Sequence, residues 1–283
     1  MAEGFESFQM GDAAVRIFNA GMLRAVVSEW YAPPADEWPA AYRAALAAPL
    51  QVPVQCIYIG LPYTSVLVDA GTYDPNPDSP FTIPGYVPPP PLLDQLTAAG
   101  IRPESVEHVV ITHAHFDHYN AVAVHDGQEA GPAFPNAQVY LGRGDWESAA
   151  MQAAWRDPGS QESQTFGLLR AHGRLQMVDG DREVAPGVHI LATPGETPGH
   201  QAVRVASGGR SLYCLGDLVH HEVEVVRLKW AVSWADAPAA AASRRRVFAQ
   251  AAAEDALLIA THITGIGSVR GADSGWVWQE RAI

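Results

Sequence analysis

Short apolar runs broken by proline- and glycine-rich stretches set the rhythm of this chain. Residues 8–28 alternate loosely, with Val15, Ile17 and Phe18, then Leu23, Val26 and Val27 on the apolar beats, and predict one or two strands. A loop at Tyr31–Pro34 and an alanine-rich helix over Trp38–Leu46 follow. They form an N-terminal embellishment at about 29–50, suited to cover a site or meet a second subunit. Val54–Ile59 and Ser65–Asp69 predict strands joined by a turn at Gly60–Pro62. Leu92–Ala99 predicts a helix closed by Gly100, Ser105–Ile111 a strand, and Asn120–Val124 the opening of a helix. Gln138–Leu141 predicts a strand, Asp145–Trp155 a helix, and 156–165 a polar linker. Gln176–Val178 and Val188–Leu191 predict short strands, and Gln201–Val205 with Ser211–Leu215 a hairpin about Ser207-Gly208-Gly209. Ala237–Ala253 predicts a long helix and Ala256–Ala260 a last strand. Strands then mixed elements in each half predict two packed sheets with helices outside, in a single domain over 1–283.

The stretch 72–91 breaks the rhythm. Pro75, Pro77, Pro80, Pro84 and Pro88 to Pro91 exclude helix and central strand, and Phe81 and Tyr86 inside this loop predict a lid or pocket wall. The chain has 283 residues, 48% of them hydrophobic, enough to bury a sizeable core. A formal net charge of −13 repels phosphate backbones and anionic lipid, which argues against nucleic acid and membrane partners. Cys56 and Cys214 each sit in an apolar run and read as buried core residues, not as a disulfide. Met1–Glu6 carries no basic leader, and no apolar stretch approaches the ~20 residues of a membrane span. The expectation is a soluble cytoplasmic protein.

Candidate chemistry concentrates in Thr112-His113-Ala114-His115-Phe116-Asp117-His118, directly after Val109-Val110-Ile111. No packing demand places three imidazoles and a carboxylate at a strand end, and both are ligands of zinc and similar ions. His200 follows the rigid Thr193–Gly199 turn, Asp217 ends the second hairpin strand, and His262 ends the last strand. Seven such side chains suffice for two metal ions bridged by a carboxylate. Two ions ~3.5–4 Å apart would hold a hydroxide nucleophile between them. No G-x-S-x-G competes with that chemistry.

His113–His118, then Thr197-Pro198-Gly199-His200, Gly216-Asp217 and Thr261-His262 resemble, in order, the ligand motifs of the metallo-β-lactamase superfamily. The resemblance covers roughly residues 54–265. It implies an α/β fold of the αββα sandwich type with a metal pair at one edge. It also implies His113, His115 and His200 on one ion, Asp117, His118 and His262 on the other, and Asp217 on both. Zinc is the first expectation, with iron, manganese and cobalt also suited.

Within the superfamily, a bridging Asp217 argues against true β-lactamases and the net charge of −13 against its RNA-processing nucleases. Asp117-His118-Tyr119-Asn120-Ala121 departs from the D-H-x-x-G of glyoxalase II-type thioesterases, and an intact His115 departs from flavodiiron proteins. Thr193–Gln201 and Gly216–His221 look similar to N-acyl homoserine lactonases and to methyl parathion hydrolase-like phosphotriesterases. The resemblance therefore implies a dinuclear hydrolase opening a small apolar lactone or ester through its bridging hydroxide. An aryl phosphotriesterase is the alternative; a glyoxalase II-like thioesterase or an iron-dependent oxygenase ranks below.

Asp117 is the expected proton shuttle. His220 stands where well-known lactonases carry a tyrosine, and is either catalytic or a partner of a metal ligand. Trp230 and Trp234, with Phe81, Tyr86 and Tyr119, are candidates to grip the substrate's apolar part. His108, His125, His172 and His189 read as surface or satisfied histidines, and Ser243–Arg246 as a solvated helix face. A homodimer through 29–50 is also implied by the resemblance.

Overall fold

A computed structural model describes residues 5–31, 37–46, 48–72, 86–124, 130–272 and 275–282. The first sheet takes β1 (Phe5–Met10), β2 (Ala13–Ala25), β3 (Leu50–Leu61), β4 (Thr64–Val68), β5 (Tyr86–Val87) and β6 (His108–Val110). After the small β7 (Ala123–Val124) and β8 (Gly131–Pro132) pair come β9 (Gln138–Gly142) and β10 (Leu175–Val178). Their order is β1-β2-β3-β4-β6-β9-β10, with β5 beside β2. The second sheet runs β11 (Arg182–Ala185), β12 (Val188–Ala192), β13 (Gln201–Ser207), β14 (Arg210–Cys214), β15 (Leu257–Ile259), β16 (Gly267–Ala272) and β17 (Gly275–Glu280) in sequence order.

Strand alternation explains the continuous apolar runs. In β3, Ile57 and Ile59 face the inter-sheet core with Val66 and Val68, against Val203, Val205, Leu212 and Cys214. Cys56 and Tyr58 point to the opposite face, which carries the helices α2 (Leu92–Ala98) and α6 (Gln161–Ala171) through Leu92, Leu96, Phe166 and Leu169. Helix α8 (Ala237–Ala253) covers the outer face of the second sheet with Val247, Phe248 and Ala251. The result is the αββα layering expected from the sequence, and both cysteines are buried in it. Among the described residues no helix is long and apolar enough to cross a membrane.

Several boundaries differ. Strand β3 starts at Leu50 and turns at Pro62-Tyr63, because β2 supports its first half. Pro53 is tolerated there because β4 pairs only with Ile57–Leu61. Asn120–Val124 is a 3-10 turn leading into β7, since the helix comes earlier as α3 (Phe116–Tyr119). Helix α4 (Arg143–Glu147) parts from α5 (Ala149–Trp155) at Ser148, whose hydroxyl caps the second. The polar linker ends at Ser160, which caps α6 by accepting from the Ser163 N–H. The hairpin β16–β17 was not anticipated.

The N-terminal segment, which carries the short helix α1 (Ala40–Leu46), folds back over its own chain. Tyr31 bridges to Val232, and buried Trp38 stands edge-on to Tyr31 at 5.3 Å and to Trp230 at 5.2 Å. Most of the proline-rich stretch, 73–85, lies outside the described residues.

Candidate metal centre

Parallel pairing of β4 with β6 and of β14 with β15 brings the C-terminal ends of these strands to one edge. Gly216 leaves β14 with φ +56°, and a Cβ there would lie 2.7 Å from that of Thr112. Only glycine lets the two exits approach so closely. Asp217 thereby reaches the centre of the histidine cluster. Its Oδ2 lies 3.2 Å from His262 Nε2, 3.4 Å from His118 Nε2 and 3.7 Å from His113 Nε2. Asp117 spans the far side, Oδ1 3.7 Å from His118 Nε2 and Oδ2 3.7 Å from His262 Nε2.

The outer edges of these rings are held by oxygens. His118 Nδ1 meets Asp69 Oδ2 at 2.8 Å, His262 Nδ1 meets the Pro53 carbonyl at 2.7 Å, and His200 Nδ1 meets Thr193 Oγ1 at 2.8 Å. Pro53 O is available because β3 overhangs β4. With Nδ1 engaged, each ring directs Nε2 inward, the arrangement expected of metal-binding histidines. His118 Nε2 and Asp217 Oδ1 are buried without a hydrogen-bond partner. Burying such atoms unpaired is costly, and a cation at each point would satisfy them.

The ligand atoms form two groups, each within 4.8 Å: His113, His115, Glu196 and Asp217; and Asp117, His118 and His262. Donor types, burial and unpaired inner atoms fit two divalent ions. His200 stands beside the first group, its ring 5.3 Å from that of His113 and its Nε2 accepting from the Asp217 N–H at 3.1 Å. The first group carries one residue that the sequence motifs do not single out. Glu196 joins that group as a further carboxylate, its Oε1 3.4 Å from His115 Nδ1.

Burial pushes His113 well below its ordinary range and His200 down to about 4, leaving both imidazoles neutral at neutral pH. Burial also opposes charge on His118, but Asp217, Asp117 and Asp69 outweigh it and hold its pKa well up. His262 is raised in the same way, against burial, chiefly by Asp217. Acidic oxygens in this centre thus favour positive charge at its histidine edge.

Three carboxylates escaped the sequence reading. Asp69, at φ 59°, accepts from the Thr112 N–H at 2.7 Å as well as holding His118. Asp145 joins two ligand loops, accepting from Ala114 N at 2.8 Å and Gly199 N at 2.6 Å. Glu196 accepts from Trp234 Nε1 at 2.6 Å. Glu196 lies inside the turn preceding His200, and Asp69 ends a buried strand, so sequence signals existed for both.

A cavity of about 350 Å³ opens over the cluster, lined by Leu23, Trp30, Asp117, His220, Trp234 and His262 among others. A second, of about 420 Å³, shares His115, Glu196 and Trp234 with it and extends to Met151 and Glu162. His220 is buried, with Nε2 3.3 Å from Asp217 Oδ2.

Two substrate-contact expectations are corrected. Tyr119 is fully buried against Phe166, at 4.8 Å, because α3 turns it into the outer core. Trp230 packs on Trp38 within an apolar cluster and is not among the residues lining either cavity. Phe81 lies outside the described residues, and of Tyr86 only the backbone is described, paired with Leu23. Arg244 is no solvated helix residue: it is 2% exposed, because three backbone carbonyls and Glu224 surround its guanidinium. His108 pairs with Tyr140 Oη at 3.1 Å and His172 with the Leu168 carbonyl at 2.9 Å, while His125 lies outside the described residues.

Comparison with known proteins adds an independent line. A family model of the metallo-beta-lactamase superfamily matches residues 50–262. An N-acyl homoserine lactonase of Bacillus cereus is 26% identical over 176 residues, 59% of this chain and 63% of that protein. The match thus spans under two thirds of that curated relative. Among solved structures, the hydrolase AbOPH of the beta-lactamase superfamily has a TM-score of 0.79 at 22% identity, covering 100% of this chain and 99% of its own. AidC, a dizinc quorum-quenching lactonase in complex with the product N-hexanoyl-L-homoserine, has a TM-score of 0.78 at 21% identity, covering 99% and 98%.

Proposed function

This chain belongs to the metallo-β-lactamase superfamily, and from that membership we propose that it is a dinuclear metal-dependent lactonase acting on N-acyl homoserine lactones, a quorum-quenching activity. The observation that carries the reading is the ring of inward-facing Nε2 atoms about Asp217 Oδ2 at the floor of the 350 Å³ cavity. That volume is in the range of small-molecule sites.

In this reading His113, His115 and His200 would hold one ion, Asp117, His118 and His262 the other, and Asp217 would be shared. Glu196 adds a carboxylate beside the first. Bound there, two divalent ions would supply Lewis acidity toward a carbonyl oxygen and make water ionisable near neutral pH. The chain's own groups do the rest. Asp117 faces the cavity between His118 and His262, placed to accept a proton from the attacking water and return it to the departing ring oxygen. His220 directs Nε2 at the carbonyl side. Trp30 and Trp234 stand edge-on to its ring at 6.1 and 6.2 Å and offer apolar walls to the acyl chain. The second cavity gives a longer chain room past Trp234.

Zinc as the ion is supported by the dizinc neighbour. A panel of N-hexanoyl and N-decanoyl homoserine lactones, an aryl ester, a paraoxon-like triester and a glutathione thioester tests the reading. The lactones are expected to show the highest kcat/KM. Turnover of the thioester or the triester alone would overturn it.

A further inference from the structure

Glu224 lies outside the metal set, in α7 (Glu222–Val226), and has no solvent exposure. A carboxylate buried so deeply needs a counter-charge. Arg244 of α8, itself buried, supplies it, with Nη2 2.5 Å from Glu224 Oε1. The guanidinium is fixed in turn. Its Nε donates to the Leu218 carbonyl at 2.7 Å, and Nη1 donates to the carbonyls of Leu228 and Trp230. The other carboxylate oxygen, Oε2, accepts from the His220 backbone N–H at 2.5 Å and lies 3.4 Å from the ring Nδ1. The opposite edge of that ring faces the cavity: Nε2 is 3.3 Å from Asp217 Oδ2 and 3.6 Å from Glu196 Oε1. His220 also stacks on His262, with centroids 5.6 Å apart and planes 13° apart.

A buried ion pair is a poor device for stability alone, because apolar residues of similar volume often serve as well. This pair touches both the backbone and the ring of one cavity imidazole. We infer that Glu224, held by Arg244, is a positioning residue that fixes the ring of His220 so that Nε2 addresses the substrate carbonyl; the inference rests on the lactonase reading of the cavity. Arg244 acts at one remove, by fixing Glu224.

A double-mutant cycle tests it. The E224L/R244M variant removes both charges together, so neither is left unpaired. Folded and loaded with two ions, it is expected to keep KM within about threefold and lose kcat by about 10–100-fold, the usual cost of an outer partner. In an H220A background the same change should leave kcat where H220A alone puts it. An unchanged kcat, or an equal loss in both backgrounds, would overturn the inference. Should E224L/R244M not fold, E224Q carries the same cycle. One readout needs no turnover: the His220 ring signals in proton–nitrogen NMR spectra of the loaded protein should shift or broaden in the variant. Identical signals would also overturn it. If the wild type hydrolyses a phosphotriester or thioester but no lactone, the substrate reading fails, and the cycle on that other substrate still decides the role of Glu224.

Discussion

Asp69 sits at φ 59°, in the left-handed region that side chains other than glycine, asparagine and aspartate seldom enter. Strain of this kind persists where the surroundings over-determine it. Here Thr112, through N–H and hydroxyl, and His118 Nδ1 occupy both carboxylate oxygens. Asp69 thus sets the direction of a metal-ligand candidate without entering the cavity. D69N keeps the shape and tolerates the backbone, but offers His118 an amide where it now meets an anion. Its expected effect is a 10–100-fold loss of affinity for the ion at Asp117, His118 and His262, read by chelator competition, with the fold intact. Unchanged affinity would show that His118 needs no such support. The residues of this centre differ in how far the sequence reveals them. His113, His115, His118, Asp217 and His262 announce themselves because polar groups end apolar runs. Asp69 also ends an apolar run, but its role, like that of Asp145, stays hidden because their partners lie 43 and 54 positions away in the chain.

At the scale of elements, the strands that carry ligands were legible because each is a buried apolar run that stops at a polar motif. Helix α6 was not, since Gln161-Glu162-Ser163-Gln164 opens it with polar residues and only Thr165, Phe166 and Leu169 are buried. Helix α8 was placed from Ala237 to Ala253, yet its Ser243–Arg246 stretch misled. A run of arginines suggests solvent, whereas Arg244 turns inward to Glu224 and Arg246 outward to Asp181 at 2.7 Å. The inward pair joins α8 to α7, and its strength depends on pH. Burial tends to raise the Glu224 carboxyl, but Arg244 and then His220 hold it down at about 2. A folded value below the ordinary one near 4.5 contributes stability that is full above that value and is lost as pH falls toward 2. Between pH 5 and pH 3 the loss from this group is about 2 kcal/mol. Urea unfolding of chelated protein should show that loss, and E224Q should show a correspondingly shallower acid slope. Identical slopes would mean that the pair does not bind α8 to α7.

For the molecule as a whole, the sandwich places its chemistry at one edge, where the parallel pairs β4/β6 and β14/β15 end together. The two-sheet architecture followed from the order of strands and helices. The closing hairpin β16–β17 did not, since Gly267, Gly271 and Gly275 interrupt its pattern. The N-terminal segment was expected to cover the site or meet a second subunit. Of that segment Trp30 stands edge-on to His220 and lines the cavity. Strand ends, Trp30 and the α7–α8 pair all meet at the candidate metal centre, whose proposed chemistry needs two divalent ions. The most direct test adds zinc in steps to chelated protein and follows, by mass spectrometry, conversion of N-hexanoyl homoserine lactone to the ring-opened acid. The initial rate is expected to be negligible without metal, to rise with added zinc and to level off at two equivalents per chain. A rate that saturates at one equivalent, or an intact lactone at two, would contradict the account.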